Sequence, residues 1–256
     1  MAGFLEYVPG TSALHRMNPV AKLGFSFLFA IACFCTSNLA FLVAMLAVAV
    51  ALALSCGMGR QTLGLARAVL LFSLLLAVIQ ALTTPSGVEL VTLPWGYVGT
   101  GSLLVGLTTI VRLVAAAIPL FLTFYVTKVN DITNAAVKVL HVPYRYAFTF
   151  SSTVHFIPVF MNDMRAIMEA QTARGVEFDH GGIVHKVRLM IPLCVPLLVS
   201  SVRKTNSAAI AAEVRGFSLR TRASGFKEYP MRGTDVAALV AGLVLLAAAI
   251  AVGVLA

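Results

Sequence analysis

The sequence predicts an all-α integral membrane protein, with about five transmembrane helices plus a cytoplasmic domain of amphipathic helices. Of its 256 residues 59% are apolar and only 11% are charged, with a mean hydropathy of +0.93. A soluble domain carries about 25% charged residues. The apolar residues fall in long runs, and a bilayer core takes about 20 residues of helix to cross. The charge is also unevenly spread, since 14 of the 19 Lys and Arg lie between Lys128 and Arg232.

The first two runs, Val20–Thr36 and Leu39–Ser55, are separated only by Ser37-Asn38. As one helix they would be about 50 Å long, which is too long for a bilayer. Two short helices in a tight hairpin are the expected solution. A third run extends from about Leu65 to Leu82 and a fourth from about Ser102 to Val126. The connector between them, Thr83–Gly101, holds Pro85, Gly87, Pro94, Trp95, Gly96 and Tyr97 but no Lys or Arg. The last run, Val236–Leu255, completes the count. The chain thus divides into an N-terminal membrane domain at 1–127 with four spans, a polar domain at 128–232, and a C-terminal transmembrane helix at 233–256.

Arg16, Lys22, Arg60, Arg67 and Lys128 all flank one set of span ends. The bias of Lys and Arg toward the cytoplasm predicts a cytoplasmic N-terminus, an external Trp95 connector and an external C-terminus. Trp95 and Tyr97 suit the interfacial belt. No basic segment leads into a small-residue cleavage site, so the first apolar run is expected to stay in the membrane.

Within 128–232, a short helix is expected at about Asn130–Leu140, ending before Pro143. Phe150, Val154, Ile157, Met161, Met164 and Met168 then recur at steps of three and four, as do Ile191, Val195, Leu198, Val202, Thr205 and Ala209. Each set marks a helix with an apolar stripe of the kind that packs on another helix. Pro158, Pro192 and Pro196 predict kinks or breaks. The methionines Met161, Met164, Met168 and Met190 suit core filling or a surface that re-packs.

Several candidate chemistries are weak. Cys33, Cys35, Cys56 and Cys194 lie in apolar runs and read as buried hydrophobes. His180 and His185 lack the ligands of a metal site. The net charge of +9 is a topology signal and not evidence for nucleic acid, because the hydropathy is that of a membrane chain. Gly57-Met-Gly-Arg60 lacks the spacing and Lys of a nucleotide-binding loop, so no bound cofactor is expected. Neither His-Glu-x-x-His nor Gly-x-Ser-x-Gly occurs, which argues against a membrane enzyme. Arg112 lies inside the fourth run without an acidic neighbour; it marks a functional site or faces the bundle and bonds to backbone carbonyls. Ala238/Gly242, Ala247/Ala251 and Ala249/Gly253 offer small-residue faces for a neighbouring span or a partner.

The two long polar-domain helices end alike, in Ala173-Arg174-Gly175 and Val214-Arg215-Gly216. Helix termination explains one such pair, because Gly supplies a left-handed residue and Arg complements the helix dipole. Two such ends in one domain suggest more. An Arg at a helix tip can enter a partner's groove and make bidentate bonds to a carboxylate, staying charged when desolvated.

These motifs resemble the paired Ala-Arg-Gly-type motifs of the transmembrane T component of energy-coupling factor (ECF) transporters. The opening Pro9–Leu23, with Pro19 and Lys22, is similar to the start of that family. So is Val129–Gly175, with Asp131-Ile132, Pro143 and Phe156-Ile157-Pro158. Val214 stands where the first motif has Ala173, within the family's looser small/aliphatic-Arg-Gly pattern. The resemblance implies a non-catalytic subunit in a prokaryotic cell membrane, with two coupling helices that dock Arg174 and Arg215 on two ABC-type ATPase subunits. Those subunits would bind the ATP. A small membrane protein, the S component, would capture a vitamin or transition-metal ion. The alternative is a self-contained channel or secondary carrier, which calls for ionisable residues along the spans, and Arg112 is the one on offer.

Overall fold

The computed structural model describes residues 10, 12–84, 86–87, 89–93, 96–176, 182–221 and 228–255. They form the helices α1 (Ala13–Arg16), α2 (Pro19–Cys35), α3 (Leu39–Ser55) and α4 (Gly59–Thr83), followed by the strands β1 (Glu89–Leu93) and β2 (Gly96–Gly99). Next come α5 (Thr100–Val126), α6 (Val129–Val139), α7 (Tyr144–Thr172) and α8 (Ile183–Val214). A short 3₁₀ turn at Phe217–Leu219 precedes α9 (Gly233–Leu255). Two compact units result: one joins residues 1–135 with 229–256, and the other comprises Ala136–Glu228.

The first unit holds the apolar helices. Among the described residues Gln61–Thr83, Thr100–Val126 and Gly233–Val254 are long and apolar enough to cross a membrane. The helices α2 and α3 have 17 residues each, about 25 Å. They are broken apart at Thr36–Asn38 as predicted, because Asn38 caps α3 by accepting from the backbone N–H of Ala40 and Phe41. They are not packed chiefly on each other, however. Each lies against α5, which also packs on α4, while α2 packs on α9.

Side-chain contacts fix the directions. Ser26 and Thr123 share a hydrogen bond, and Arg112 reaches Thr36, so α2 and α5 are antiparallel. Met58 just after α3 meets Leu122 and Val126, so α3 runs with α5. Gln80 accepts from Thr109 while the carbonyl of Thr84 accepts from Ser102, so α4 opposes α5. Positions 24 and 242 of α2 and α9 face Leu239 and Leu28 respectively, so these two are parallel. The five apolar helices therefore alternate in direction along the chain. One end of the unit gathers the starts of α2, α4 and α9 with the ends of α3 and α5.

Lipid offers apolar side chains as good a home as a neighbouring helix, so close packing and polar bonds decide which helices meet. Leu42, Met45, Ala49 and Ala53 form the buried stripe of α3, joined by Phe29, Cys33, Ala115 and Ala249. Gly106 lets α5 approach the Ala77 carbonyl of α4, where an added Cβ would stand at 3.3 Å. Of the small-residue faces of α9, those with Gly242 and with Ala249 and Gly253 are used inside the chain, while Ala247 and Ala251 are exposed. A Cβ on Gly242 would meet Leu28 and Phe25 at 3.2–3.4 Å, and one on Gly253 would fall 2.5 Å from the Cys35 carbonyl.

The connector predicted only as a link without Lys or Arg folds as an antiparallel ribbon, with Leu93 opposite Gly96 and an irregularity between Glu89 and Val91. Ser102, fully buried, secures its base: its Oγ accepts from the backbone N–H of Ser86 and Gly99 and donates to the Thr84 carbonyl. Trp95 lies outside the described residues.

In the second unit α7 and α8 run continuously through Pro158, Pro192 and Pro196, where kinks or breaks were expected. They pack antiparallel. Asp163 at mid-α7 meets Ser200 and Lys204, and Phe217 beyond α8 packs with its ring tilted against Tyr144 and Phe148 at the start of α7.

Candidate functional site

Both Arg-Gly motifs sit where the helix ends demand a left-handed residue. Gly175 has φ +89° and Gly216 φ +72°. Around Gly175 a Cβ would meet nothing within 4 Å, so conformation and not space calls for glycine there. The Gly175 N–H donates to the Thr172 carbonyl and that of Gly216 to the Glu213 carbonyl, each at 2.9 Å. These turns place Arg174 two residues beyond the end of α7 and Arg215 one residue beyond the end of α8.

Arg174 and Arg215 are exposed, as are Ala173 and Val214 beside them, Val214 at 82%. Among the described residues neither guanidinium has a hydrogen-bond or ion-pair partner. The two tips are matched in position. Lys204 Nζ donates to Asp163 Oδ1 and Oδ2 at 2.6 and 2.7 Å, and Ser200 Oγ donates to Oδ2 at 3.0 Å. Arg174 lies eleven residues beyond Asp163 and Arg215 eleven beyond Lys204. Each tip is thus about 16 Å along its helix from the ion pair, at opposite ends of an antiparallel pair. The hydrogen bond from Lys204 holds the Asp163 carboxyl below the usual carboxylate range.

The surroundings of the tips differ. After Gly216 the chain turns back so that Phe217 contacts Tyr144 and Phe148, ring centroids 5.7 and 4.7 Å apart. Arg220 then lies over the Tyr144 ring and bonds its hydroxyl. The segment after Val176, including His180, lies outside the described residues.

The apolar stripes are only partly covered: Val154, Met164 and Met168 of α7 are half-buried. Phe150, Ile157 and Met161 on one helix and Ile191, Val195, Leu198 and Val202 on the other are each more than half exposed. The helices meet instead along the side carrying Asp163, Ser200 and Lys204. Spacing identified the stripes as faces but could not say that the described residues of this unit leave much of them uncovered.

The N-terminal motif lies in the first unit. Pro19 opens α2, where its missing N–H costs nothing. Asn18 is the N-cap, its Oδ1 accepting from Val20 N–H at 3.0 Å. Lys22, only 4% exposed, directs Nζ toward the His15 carbonyl and Thr127 Oγ1 at 3.4 and 3.5 Å. Asp235, fully buried, accepts from the backbone N–H of Asn18 at 2.9 Å and of Arg232 at 2.8 Å. One carboxylate thereby serves the N-termini of both α2 and α9, where the helix dipoles favour negative charge. Asn18 Nδ2 donates to the Tyr229 carbonyl at 3.0 Å, and Tyr229 Oη donates to Asp131 Oδ1 at 2.9 Å. Burial, reinforced by that bond, holds the Tyr229 phenol above its usual range.

Arg112 lies at the opposite end of the unit. Its Nη2 donates to the Thr36 carbonyl at 2.7 Å and approaches Ser37 Oγ at 3.4 Å. The cation thus sits against the carbonyl end of α2, where the helix dipole is negative.

The chain matches the protein family described as cobalt transport protein (CbiQ) over residues 10–224. It is 31% identical over 226 residues to the energy-coupling factor transporter transmembrane protein EcfT of Exiguobacterium sibiricum, covering 83% of this chain and 84% of the relative. The EcfT of Bacillus subtilis is 30% identical over 253 residues, covering 94% of each chain. The chain belongs to the T-component family of ECF transporters. A third EcfT, from Limosilactobacillus fermentum, is 30% identical and covers 92% of this chain. The protein is accordingly a membrane-embedded component of an ECF transporter, and the match takes in both Arg-Gly motifs, Pro19, Lys22 and Arg112.

The residues that spacing did not reveal for this T component are Asn18, Tyr229 and Asp235. Their bonds join positions some 100 to 217 residues apart in sequence, beyond the reach of any local pattern. A signal was nevertheless present: Asp235 is the one carboxylate in the first turn of a strongly apolar helix.

Proposed function

We propose that this T component couples two ABC-type ATPase subunits to a substrate-binding S component, with Arg174 and Arg215 as the anchors for the ATPases. The observation that carries this reading is the pair of exposed Arg-Gly tips, placed at equal distances from the Asp163–Lys204 contact on two antiparallel helices. Two equal arms suit two similar partner sites. Each guanidinium is presented by a turn and is without a bond among the described residues, ready for a carboxylate on the partner. Ala173-Gly175 and Val214-Gly216 supply the small or exposed flanks of each contact.

The uncovered stripes of α7 and α8 provide apolar area for the S component or the bilayer surface. The end of the first unit bearing Lys22, Arg232 and the start of α4 faces the cytoplasm, by the bias of basic residues, so the N-terminus is cytoplasmic and the C-terminus external. ATP is bound by the ATPases and not by this chain, which has no catalytic role of its own. The cargo, a vitamin or a transition-metal ion, is selected by the S component.

Arg174→Ala and Arg215→Ala test the anchors singly. Each leaves a partner carboxylate desolvated and unpaired, so each should weaken ATPase binding by about 2–5 kcal/mol in a titration of purified components. Unchanged binding by both variants would overturn the assignment.

A further inference from the structure

The chain passes between its two units twice, at Ala135/Ala136 and at Glu228/Tyr229. Both crossings are flanked by members of one hydrogen-bonded set in the first unit. Asp131 lies four residues before the first crossing, in the opening turn of α6, whose backbone N–H groups at Asp131 and Ile132 bond to the Lys128 carbonyl. Tyr229 is the first residue after the second crossing. Its hydroxyl donates to Asp131 Oδ1, and its carbonyl accepts from Asn18 Nδ2. Asn18 in turn donates its backbone N–H to Asp235, which also holds Arg232 N–H.

We infer that Asp131, Tyr229, Asn18 and Asp235 are positioning residues for energy coupling, forming a tether that pins both chain crossings to the first turns of α2 and α9. The inference rests on the coupling role proposed above. A displacement of α7 and α8 can reach the membrane helices along the chain only through these two crossings. Slack connections would absorb it. Here the two are bonded to each other and, through one side-chain amide and one buried carboxylate, to the helices that pack together through Gly24 and Gly242. The tether is short, and its bonds lie between 2.8 and 3.0 Å. It also gives a task to two places that the family resemblance marked without explaining, Asp131 and the Asn18-Pro19 start of α2.

Amide hydrogen exchange on the full complex, purified through this chain, reads the tether directly, since Asn18 N–H and Arg232 N–H are both held by Asp235. The probe is a non-hydrolysable ATP analogue. In the wild-type complex the analogue should change exchange in α7 and α8 and also in peptides covering Asn18 and Arg232. In Tyr229→Phe, which removes the Oη bond to Asp131 and the one between Oη and Asn134, the response in α7 and α8 should persist while that at Asn18 and Arg232 falls about five-fold or more, the lower end of ordinary coupling strengths. Asp131→Asn, which keeps an acceptor for Tyr229, should retain most of the response, and Asp131→Ala should lose it. Equal responses in wild type and Tyr229→Phe, or a wild-type response that never reaches Asn18 and Arg232, would overturn the inference. So would failure of all three variants to assemble, which would make the set a folding element only. No nucleotide response in wild-type α7 and α8 would instead count against the coupling role itself.

Discussion

In the first unit Asp235, Asn18, Ser26 and Thr123 are buried and hydrogen-bonded, while Leu71, Phe72 and Leu75 of α4 are more than half exposed. In the second unit α7 and α8 join through the partly exposed Asp163–Lys204 pair and an aromatic cluster, while Phe150, Ile157 and Met161 of α7 and Ile191, Val195, Leu198 and Val202 of α8 are more than half exposed. With the second unit in the cytoplasm, as proposed above, the contrast follows from the solvent. Where lipid surrounds a helix, apolar side chains do not distinguish a neighbour from the bilayer, so specificity passes to polar bonds and small residues. Where water surrounds it, an uncovered apolar stripe calls for a partner.

The largest effect should come from removing the buried carboxylate. Asp235→Ala strands the backbone N–H groups of Asn18 and Arg232, at about 1–3 kcal/mol each. Thermal unfolding in detergent should show this loss, and Asp235→Asn, which keeps one acceptor, should lose less. A neutral Asp235→Ala would break the contrast between the units. Next, Gly242→Leu should wedge α2 from α9 against Leu28 and Phe25, costing about 1–3 kcal/mol. Gly64→Ala on α4 has nothing within 4 Å to meet and should stabilise by about 0.5–1 kcal/mol, so the same assay reads opposite signs at two membrane-helix glycines.

Smaller changes are expected in the second unit. Leu198→Gln should leave the unfolding midpoint of the isolated chain within about 0.5 kcal/mol of wild type, while lowering recovery of the small membrane partner. Asp163→Asn should have the least effect at neutral pH, because the pair is partly exposed. Its pH dependence carries a definite sign. A carboxyl with a depressed folded pKa contributes stability above its unfolded value, about 3.9, and loses it as pH falls toward the folded value. The advantage of wild type over Asp163→Asn should therefore shrink below about pH 4.

The helices were legible because hydropathy and length act locally. The break at Ser37-Asn38 followed from the bilayer thickness, and the ends at Gly175 and Gly216 from the need for positive φ. The β ribbon was less visible, since Glu89–Leu93 and Gly96–Gly99 are short and the surrounding prolines and glycines read equally as loop. The apolar stripes were found, but periodicity reports that a face exists and not what covers it. At the site, the Arg-Gly pairs could be read directly, whereas the Asn18–Asp235 and Asp131–Tyr229 bonds required the fold to bring distant segments together.

Affinity purification through this chain in mild detergent tests the central claim most directly, comparing wild type with the Arg174→Glu/Arg215→Glu double variant. Wild type should bring down two ATPase chains and a small membrane protein, and the double variant should keep the small membrane protein and lose the ATPases. Full recovery of both ATPases with the double variant would contradict the account.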